Sequence, residues 1–398
     1  MSAQPAGPDA DPCSNREPAV RGLPSRAVVD LGAISDNVAA LAAHAGSAAV
    51  MAVVKADGYG HGLLPSARAA VRGGATWLGV AQLGEAMQLR AAGLTVPVLS
   101  WLHVPGSDFA AAIAADVDLS VSALWALDEV AAAARTLGRT ARIHLKVDTG
   151  LGRNGAFGDD WPVLVDAARR LEAEGAVRVV GVWSHFVYAD APAHPTVRLQ
   201  QERFVEAVAQ AERAGCRLEV RHLANSAATL TNPGAGFDLV RPGLAVYGLS
   251  PVPDLGDPAS FGLTPAMTFA ADLAVTKTVP AGQGVSYGHQ YVTAQETTLA
   301  LVPAGYADGI PRNATNVGPV SIGGVRHTVS GRVCMDQFVV DVGPDQQVRP
   351  GQEVVIFGRG GVDGPTAEDW AAATGTISYE IVTRIGARVP RIYVGGEQ

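Results

Sequence analysis

The 398-residue chain has only three cysteines, Cys13, Cys216 and Cys334, far apart in sequence and without a CxxC pair. That spacing supports neither a disulfide framework nor a zinc site, and no metal centre is expected. No run of about 18 apolar residues occurs, so no membrane-spanning helix is expected. Positive charge is also short: 30 Lys+Arg stand against 38 Asp+Glu, a formal net charge of −8. This balance argues against a nucleic acid or an anionic membrane as partner. The first 26 residues hold five prolines and no apolar h-region. They read as a disordered tail, not a signal peptide, and the expected setting is the cytoplasm.

What the chain does have is core-forming material. Hydrophobic residues make up 48%, and the length suits about two or three domains of roughly 150 residues. From residue 27 to 262, short β-rich runs alternate with helix-like segments. The runs are Ala49–Val54, Trp77–Val80, Pro97–Leu99, Asp118–Val121, Arg142–Val147, Val177–Val182, Glu219–Leu223 and Asp238–Val240. Between them, Ile34, Val38 and Leu41 recur at helical spacing before Gly46, and Phe204, Val208 and Ala211 repeat it before Gly215. Strand–helix alternation implies a parallel sheet buried on both faces, and eight repeats favour a closed (β/α)8 barrel over an open sheet.

The stretch Ser250–Pro265 is rich in Pro, Gly and Asp and reads as a linker. Beyond it, over 263–398, the texture becomes mainly β. Met267–Val279, Thr297–Val302, Val317–Ile322, Phe338–Val342 and Glu353–Phe357 are strand-like. One helical insert is expected over Thr366–Ala373, with Thr366 as N-cap and Glu368 and Asp369 in the first turn.

The most pointed local feature is Val53-Val54-Lys55-Ala56-Asp57-Gly58-Tyr59-Gly60-His61-Gly62. A lysine closes a buried apolar strand and a Gly-rich turn follows at once. The C-terminal end of a barrel strand is where active sites gather. Burial there disfavours the ammonium, as a Schiff-base lysine requires. A snorkelling surface lysine fits the same local pattern.

At this point the chain resembles the alanine racemase family over about Ala27–Tyr393. The resemblance rests on nine motifs in order: AVVKADGYGHG (52–62), HLKVDTGLGRNG (144–155), WSHFVYAD (183–190), HLANSAATL (222–230), FDLVRPGLAVYG (237–248), GVSYGH (284–289), PAGYADGIPRN (303–313), GRVCMDQ (331–337) and TISYEI (376–381). It implies pyridoxal 5'-phosphate (PLP) on a barrel followed by a β domain, and interconversion of L- and D-alanine for cell-wall precursors.

The resemblance implies that Lys55 carries PLP and is the acid/base on one face of the substrate Cα, with Tyr287 on the other. Two groups on opposite faces invert a stereocentre without turning the substrate over. A phenol ionises near ~10, so a nearby cation is needed to make it a base. Arg241 is implied as the partner of the pyridine nitrogen. A guanidinium only donates hydrogen bonds, so that nitrogen must accept and stay unprotonated, which weakens the electron sink and disfavours transamination.

For the phosphate, Ser226 follows the seventh strand candidate, and the N–H groups of Gly243 and Leu244 follow the eighth, where barrels commonly hold phosphate. By resemblance Tyr59 and Tyr379 add phenol donors, and His185 lies near the ring and orients Arg241. The resemblance places Arg153 and the N–H of Met335 at the substrate carboxylate, and Lys146 at a position often carbamylated. It places Tyr306 and Asp336 at the entrance. It also implies a homodimer in which Tyr287 and Met335 reach the cofactor from the partner subunit.

Departures from the family pattern are few. Asp57 and Gly58 stand where Asn and Ala are common, and Asn154 and His289 occupy variable positions. Asp57 could favour a charged Lys55 by pointing inward, or face solvent in a turn. Alternative readings within PLP chemistry are a broad-spectrum racemase and a barrel-type decarboxylase. A non-catalytic PLP carrier is a further alternative, but the β domain argues against it.

Overall fold

The computed structural model describes residues 22–362 and 364–396. Most of the expected tail, with Cys13, lies outside the described residues. Its last two positions do not behave as a tail: strand β1 spans Ser25–Asp30. Arg26 is 1% exposed and forms ion pairs with Asp272 at 3.0 Å and with Glu353. Pro24 precedes the strand, and the Pro-rich texture hid a short stretch that pairs by backbone.

The chain divides into two compact units, one of Val29–Met267 with 393–396, the other of 22–28 with Thr268–Ile392. The first is an eight-stranded parallel sheet. Its strands are β2 (Ala49–Val53), β3 (Trp77–Val80), β4 (Val98–Ser100), β5 (Asp118–Val121), β6 (Ala141–Lys146), β7 (Val177–Trp183), β8 (Val220–His222) and β9 (Leu239–Val240). Their order is β8-β7-β6-β5-β4-β3-β2-β9, each paired parallel with its neighbour. All eight coincide with the alternating runs of the sequence.

The seam between β8 and β9 is closed by Asp238 N–H to Arg221 O (3.1 Å), Arg241 N–H to Ala224 O (2.9 Å) and an Asn225–Arg241 bridge. The Arg221 guanidinium holds the Asp238 carboxylate at 2.6 Å across the same seam. The sheet is therefore a nearly closed barrel.

Local chemistry accounts for the helices around it. Helix Leu31–Ala45 starts where Asp30 Oδ1 accepts from Ala33 N–H (3.1 Å), and Ile34, Val38 and Leu41 are fully buried. In helix Pro195–Arg213, Phe204, Val208 and Ala211 face inward. The stretch read as a linker ends just before the division between the units at Met267, and its end is held to the first helix. Asn37 of the first helix donates to Val246 O and Thr264 O and accepts from Thr264 N–H.

The second unit is mainly β. Its remaining strands are β10 (Met267–Asp272), β11 (Val275–Val279), β12 (Gly284–Val285), β13 (Tyr291–Val292), β14 (Thr297–Val302), β15 (Pro319–Ile322), β16 (Val325–Thr328), β17 (Phe338–Asp341), β18 (Glu353–Phe357) and β19 (Arg391–Val394). One sheet runs β16-β15-β18-β10-β1-β19, and a smaller one runs β11-β14-β17. The expected helix is present at Ala367–Thr374. Thr366 Oγ1 accepts from Asp369 N–H and Asp369 returns the bond to Thr366 N–H, a reciprocal cap. A second short helix, Ser378–Thr383, has no counterpart in the sequence reading.

Candidate active site

Lys55 sits just past the C-terminal end of β2. The next four residues, Ala56 to Tyr59, all have positive φ of 52–61°. This left-handed turn is costly for the non-glycine positions, so the surroundings must hold it. Two carboxylates do. Glu85 accepts from Ala56 N–H (2.6 Å), Ala81 N–H (2.9 Å) and Gln82 N–H (3.0 Å). Asp57 accepts from Leu63 N–H at 2.8 Å at the start of helix Leu63–Arg72. Asp57 thus faces solvent in the turn, as one of the two readings of the sequence has it, and from there accepts from the first N–H of the helix.

Burial and the Arg153 cation lower the Lys55 pKa, against a smaller opposing effect of Glu85. Its Nζ lies 6.0 Å from the ring centroids of Tyr59 and Trp101.

Tyr59 and Gly243 meet closely. A Cβ at Gly243 would lie 2.2 Å from Tyr59 Oη, so the close approach of that phenol to the backbone requires glycine. Ser226 Oγ accepts from Gly243 N–H (2.8 Å) and Ala245 N–H (3.3 Å), and Leu244 is buried beside them. The structure therefore joins Tyr59, Ser226, Gly243 and Leu244 in one cradle. The Gly243 N–H, expected to face a phosphate, is bonded to Ser226.

Arg241 follows β9 and is 5% exposed. Its Nη2 donates to Ser184 O (2.7 Å) and Leu223 O (3.2 Å), and Nη1 donates to His222 Nδ1 (3.2 Å). His185 Nδ1 is farther, at 3.4 Å. The guanidinium is thus oriented mainly by two carbonyls and His222, with His185 a lesser partner than expected. Burial and the surrounding cations, Arg241 first, hold both imidazoles well below their ordinary pKa, hence neutral. The Arg241 Nε–H has no protein partner among the described residues. A guanidinium N–H that no protein group accepts suits an acceptor such as a pyridine nitrogen, and the glycine-dependent cradle suits a phosphate. The residues present fit PLP.

Lys146 ends β6 and is buried. Its Nζ lies 4.1 Å from the Trp183 ring centroid, and Arg241 Cζ lies 4.7 Å from it. Burial first, then Arg241 and Arg153, push the lysine down to about 7. Arg153 is exposed on a loop that Asp148 organises by accepting from the N–H groups of Gly150, Leu151, Gly152 and Arg153 at 2.8–3.2 Å. Buried Gln200 ties this loop to the next, donating to Thr149 Oγ1 and His185 O and accepting from Val187 N–H.

The remaining candidates lie on the second unit. Tyr287 opens a 3-10 turn after β12 and is 71% exposed. The preceding Ser286 (φ +59°) donates to Arg332 O at 2.8 Å, which ties the tyrosine's turn to the loop carrying Met335. Met335 is 53% exposed. Tyr306 N–H and Ala307 N–H donate to Cys334 O and Met335 O. Arg388 clasps Asp308 at 2.6 Å and Asp336 at 2.7 Å. Tyr287, Tyr306, Met335 and Asp336 are thereby brought together on this unit, and Tyr379 lies in helix Ser378–Thr383.

Comparison with known proteins decides what this arrangement is. Family models described as "Alanine racemase, N-terminal domain" and "Alanine racemase, C-terminal domain" match residues 29–251 and 266–393. The chain belongs to the alanine racemase family.

An alanine racemase of Frankia casuarinae is 66% identical over 95% of this chain and 98% of its own length. The Streptomyces coelicolor alanine racemase is 59% identical over 94% and 96%. The crystal structure of alanine racemase from Streptomyces lavendulae superposes with a TM-score of 0.93 at 59% identity, covering 94% of this chain and 98% of that one. Membership makes the chain a PLP-dependent amino-acid racemase, as the nine motifs imply, and the fold is the expected barrel plus β domain. Among the described residues no helix is long and apolar enough to cross a membrane.

Sequence reasoning passed over His222, His144, Asp118, Trp183, Glu85 and Gln200. A signal for several was available. Arg142, His144 and Lys146 alternate along β6, so three polar residues share one face of a barrel strand. Lysine itself is scarce: the chain contains only Lys55, Lys146 and Lys277.

Proposed function

We propose that this enzyme interconverts L- and D-alanine by a two-base mechanism in which Lys55 and Tyr287 act on opposite faces of the substrate Cα. The product D-alanine would serve peptidoglycan precursors in the cytoplasm. The observation that carries the reading is that one barrel end offers both a lysine whose ammonium is disfavoured and a 5% exposed arginine with an N–H that no protein group among the described residues accepts.

When bound, PLP supplies an electron sink for charge developing at Cα. Lys55 holds it, and Tyr59, Ser226, Gly243, Leu244 and Tyr379 line its phosphate. Arg241 meets its ring nitrogen as donor only, and neutral His185 flanks the ring. The Lys55 amine takes or returns the Cα proton on its own face. Tyr287 does so on the other, delivered by a second copy of the chain in a homodimer. The high exposure of Tyr287 and Met335 on their own unit supports that delivery.

Arg153 and the Met335 N–H receive the substrate carboxylate. A low-pKa Lys146 has the free amine that carbamylation needs, and the resulting anion would pair with Arg153. Tyr306 and Asp336 border the entrance.

The test is a panel of L-amino acids in deuterated water with chiral product analysis. Alanine should racemise with solvent deuterium at Cα, and Tyr287→Phe should slow turnover by about 10² to 10⁴. Absence of deuterium in recovered alanine, or decarboxylated product, overturns the reading.

A further inference from the structure

The barrel interior, ordinarily packed with aliphatic side chains, contains an unbroken polar chain behind Arg241. His222 Nδ1 accepts from Arg241 at 3.2 Å. His222 Nε2 and His144 Nδ1 are 2.9 Å apart, and His144 Nε2 lies 3.1 Å from Asp118 Oδ2. Both imidazoles are fully buried, and Asp118 nearly so. Trp183 stacks on His222, with centroids 5.6 Å apart and planes 5° from parallel, and Trp77 meets His144 edge-on. A Cβ at Gly181 would sit 2.5 Å from His144 Nδ1, so the histidine occupies space that only glycine leaves. Asp118 is also held by Arg142 at 2.9 Å, and Arg142 in turn holds Glu219 at 3.0 Å.

The two ends of the chain dictate its proton positions. Arg241 can only donate, so His222 Nδ1 must be bare and its proton sits on Nε2. His144 Nδ1 must then accept, placing its proton on Nε2, where the acceptor-only Asp118 carboxylate receives it. The carboxylate's charge is balanced by Arg142 at 2.9 Å.

We propose that Asp118 and His144 are positioning residues, which lock His222 into the tautomer that accepts from Arg241 and so keep the guanidinium's free N–H directed at the cofactor ring. The inference rests on the reading that Arg241 meets the ring nitrogen.

The test is Asp118→Asn. Arg142 Nε donates to Oδ1 at 2.9 Å and Nη2 to Oδ2 at 3.2 Å, so the amide oxygen is kept at the shorter Oδ1 contact; the amide NH2 then takes the Oδ2 position facing His144 and reverses both tautomers, setting an N–H of His222 against an N–H of Arg241. Long-range 1H–15N correlation of the 15N-histidine holoenzyme should show Nε2–H for both imidazoles in the parent protein, and Nδ1–H in the variant. Pyruvate released per racemisation, which reports abortive transamination, should rise about tenfold, the equivalent of one hydrogen bond's orienting effect. Glu219→Gln, which leaves Asp118 and Arg142 in place, should change neither readout.

An Nδ1–H tautomer at His222 in the parent protein overturns the proposal. So does an Asp118→Asn protein that melts earlier with tautomers and pyruvate ratio unchanged. Arg241→Lys separates the underlying reading. An unaltered pyruvate ratio there removes Arg241 from ring control, whereas the parent tautomers test the relay independently.

Discussion

Three lysines with three environments divide the work at the residue scale. Lys277 is exposed on β11, Lys55 is half-buried at the barrel mouth, and Lys146 is buried against Trp183. Borohydride reduction of the holoenzyme should therefore attach the cofactor to Lys55, and the peptides bearing Lys146 and Lys277 should remain unlabelled. For Lys146 the folded pKa of about 7 lies below the ordinary lysine value, through burial, Arg241 and Arg153. Below pH 7 both folded and unfolded chains carry its proton. Above pH 7 the unfolded chain binds more protons, so this group makes stability rise with pH from about 7 toward the ordinary lysine range near ~10.4. Melting temperature between pH 7 and 9.5 in CO2-free buffer should rise less steeply in Lys146→Met than in the parent. Equal slopes would mean that the buried amine is not titrating as described.

At the scale of elements, the decisive devices are turns and caps. The left-handed turn after Lys55 persists because Glu85 and Asp57 satisfy the N–H groups around it. The cradle after β9 exists because Gly243 lacks a Cβ. Gly243→Ala should displace the Tyr59 phenol and lower PLP affinity about tenfold or more, measured by cofactor fluorescence titration, with little change in melting of the apoenzyme. In the second unit β1 is anchored by Arg26. Arg26→Ala leaves Asp272 and Glu353 without a buried cation and should cost roughly 3 kcal/mol in denaturant unfolding, tempered by the partial exposure of both carboxylates. Much of this scale is readable in sequence. Helical spacing ended by glycine marked helix Leu31–Ala45, and Thr366 with Asp369 marked a cap. Strand β1 was not readable, because only six residues separate Pro24 from the helix that follows and pairing partners distant in sequence stabilise it.

For the whole molecule, the proposed homodimer makes a specific stoichiometric demand. Mixing inactive Lys55→Ala and Tyr287→Phe proteins, with subunit exchange, creates heterodimers in which one site has both wild-type groups. Activity should recover to about a quarter of the parent value, since about half the dimers are mixed and each has one working site. A site built within one chain would give no recovery.

The sequence by itself determined the eight-fold alternation, the second β domain, and the residue types that two-base chemistry on PLP requires. Those properties are local: apolar periodicity, turn residues, and motifs whose members lie within a dozen positions. Only the tertiary structure decided which groups orient the reactive ones. His144 and Asp118 lie 26 positions apart and His222 lies 78 beyond His144, and a barrel interior brings all three into contact because every strand directs alternate side chains to the same axis. It likewise decided that Asp57 caps a helix and that His222, more than His185, steers Arg241. Hydrogen-bond partners are chosen by distance in space, and a linear pattern does not encode that distance.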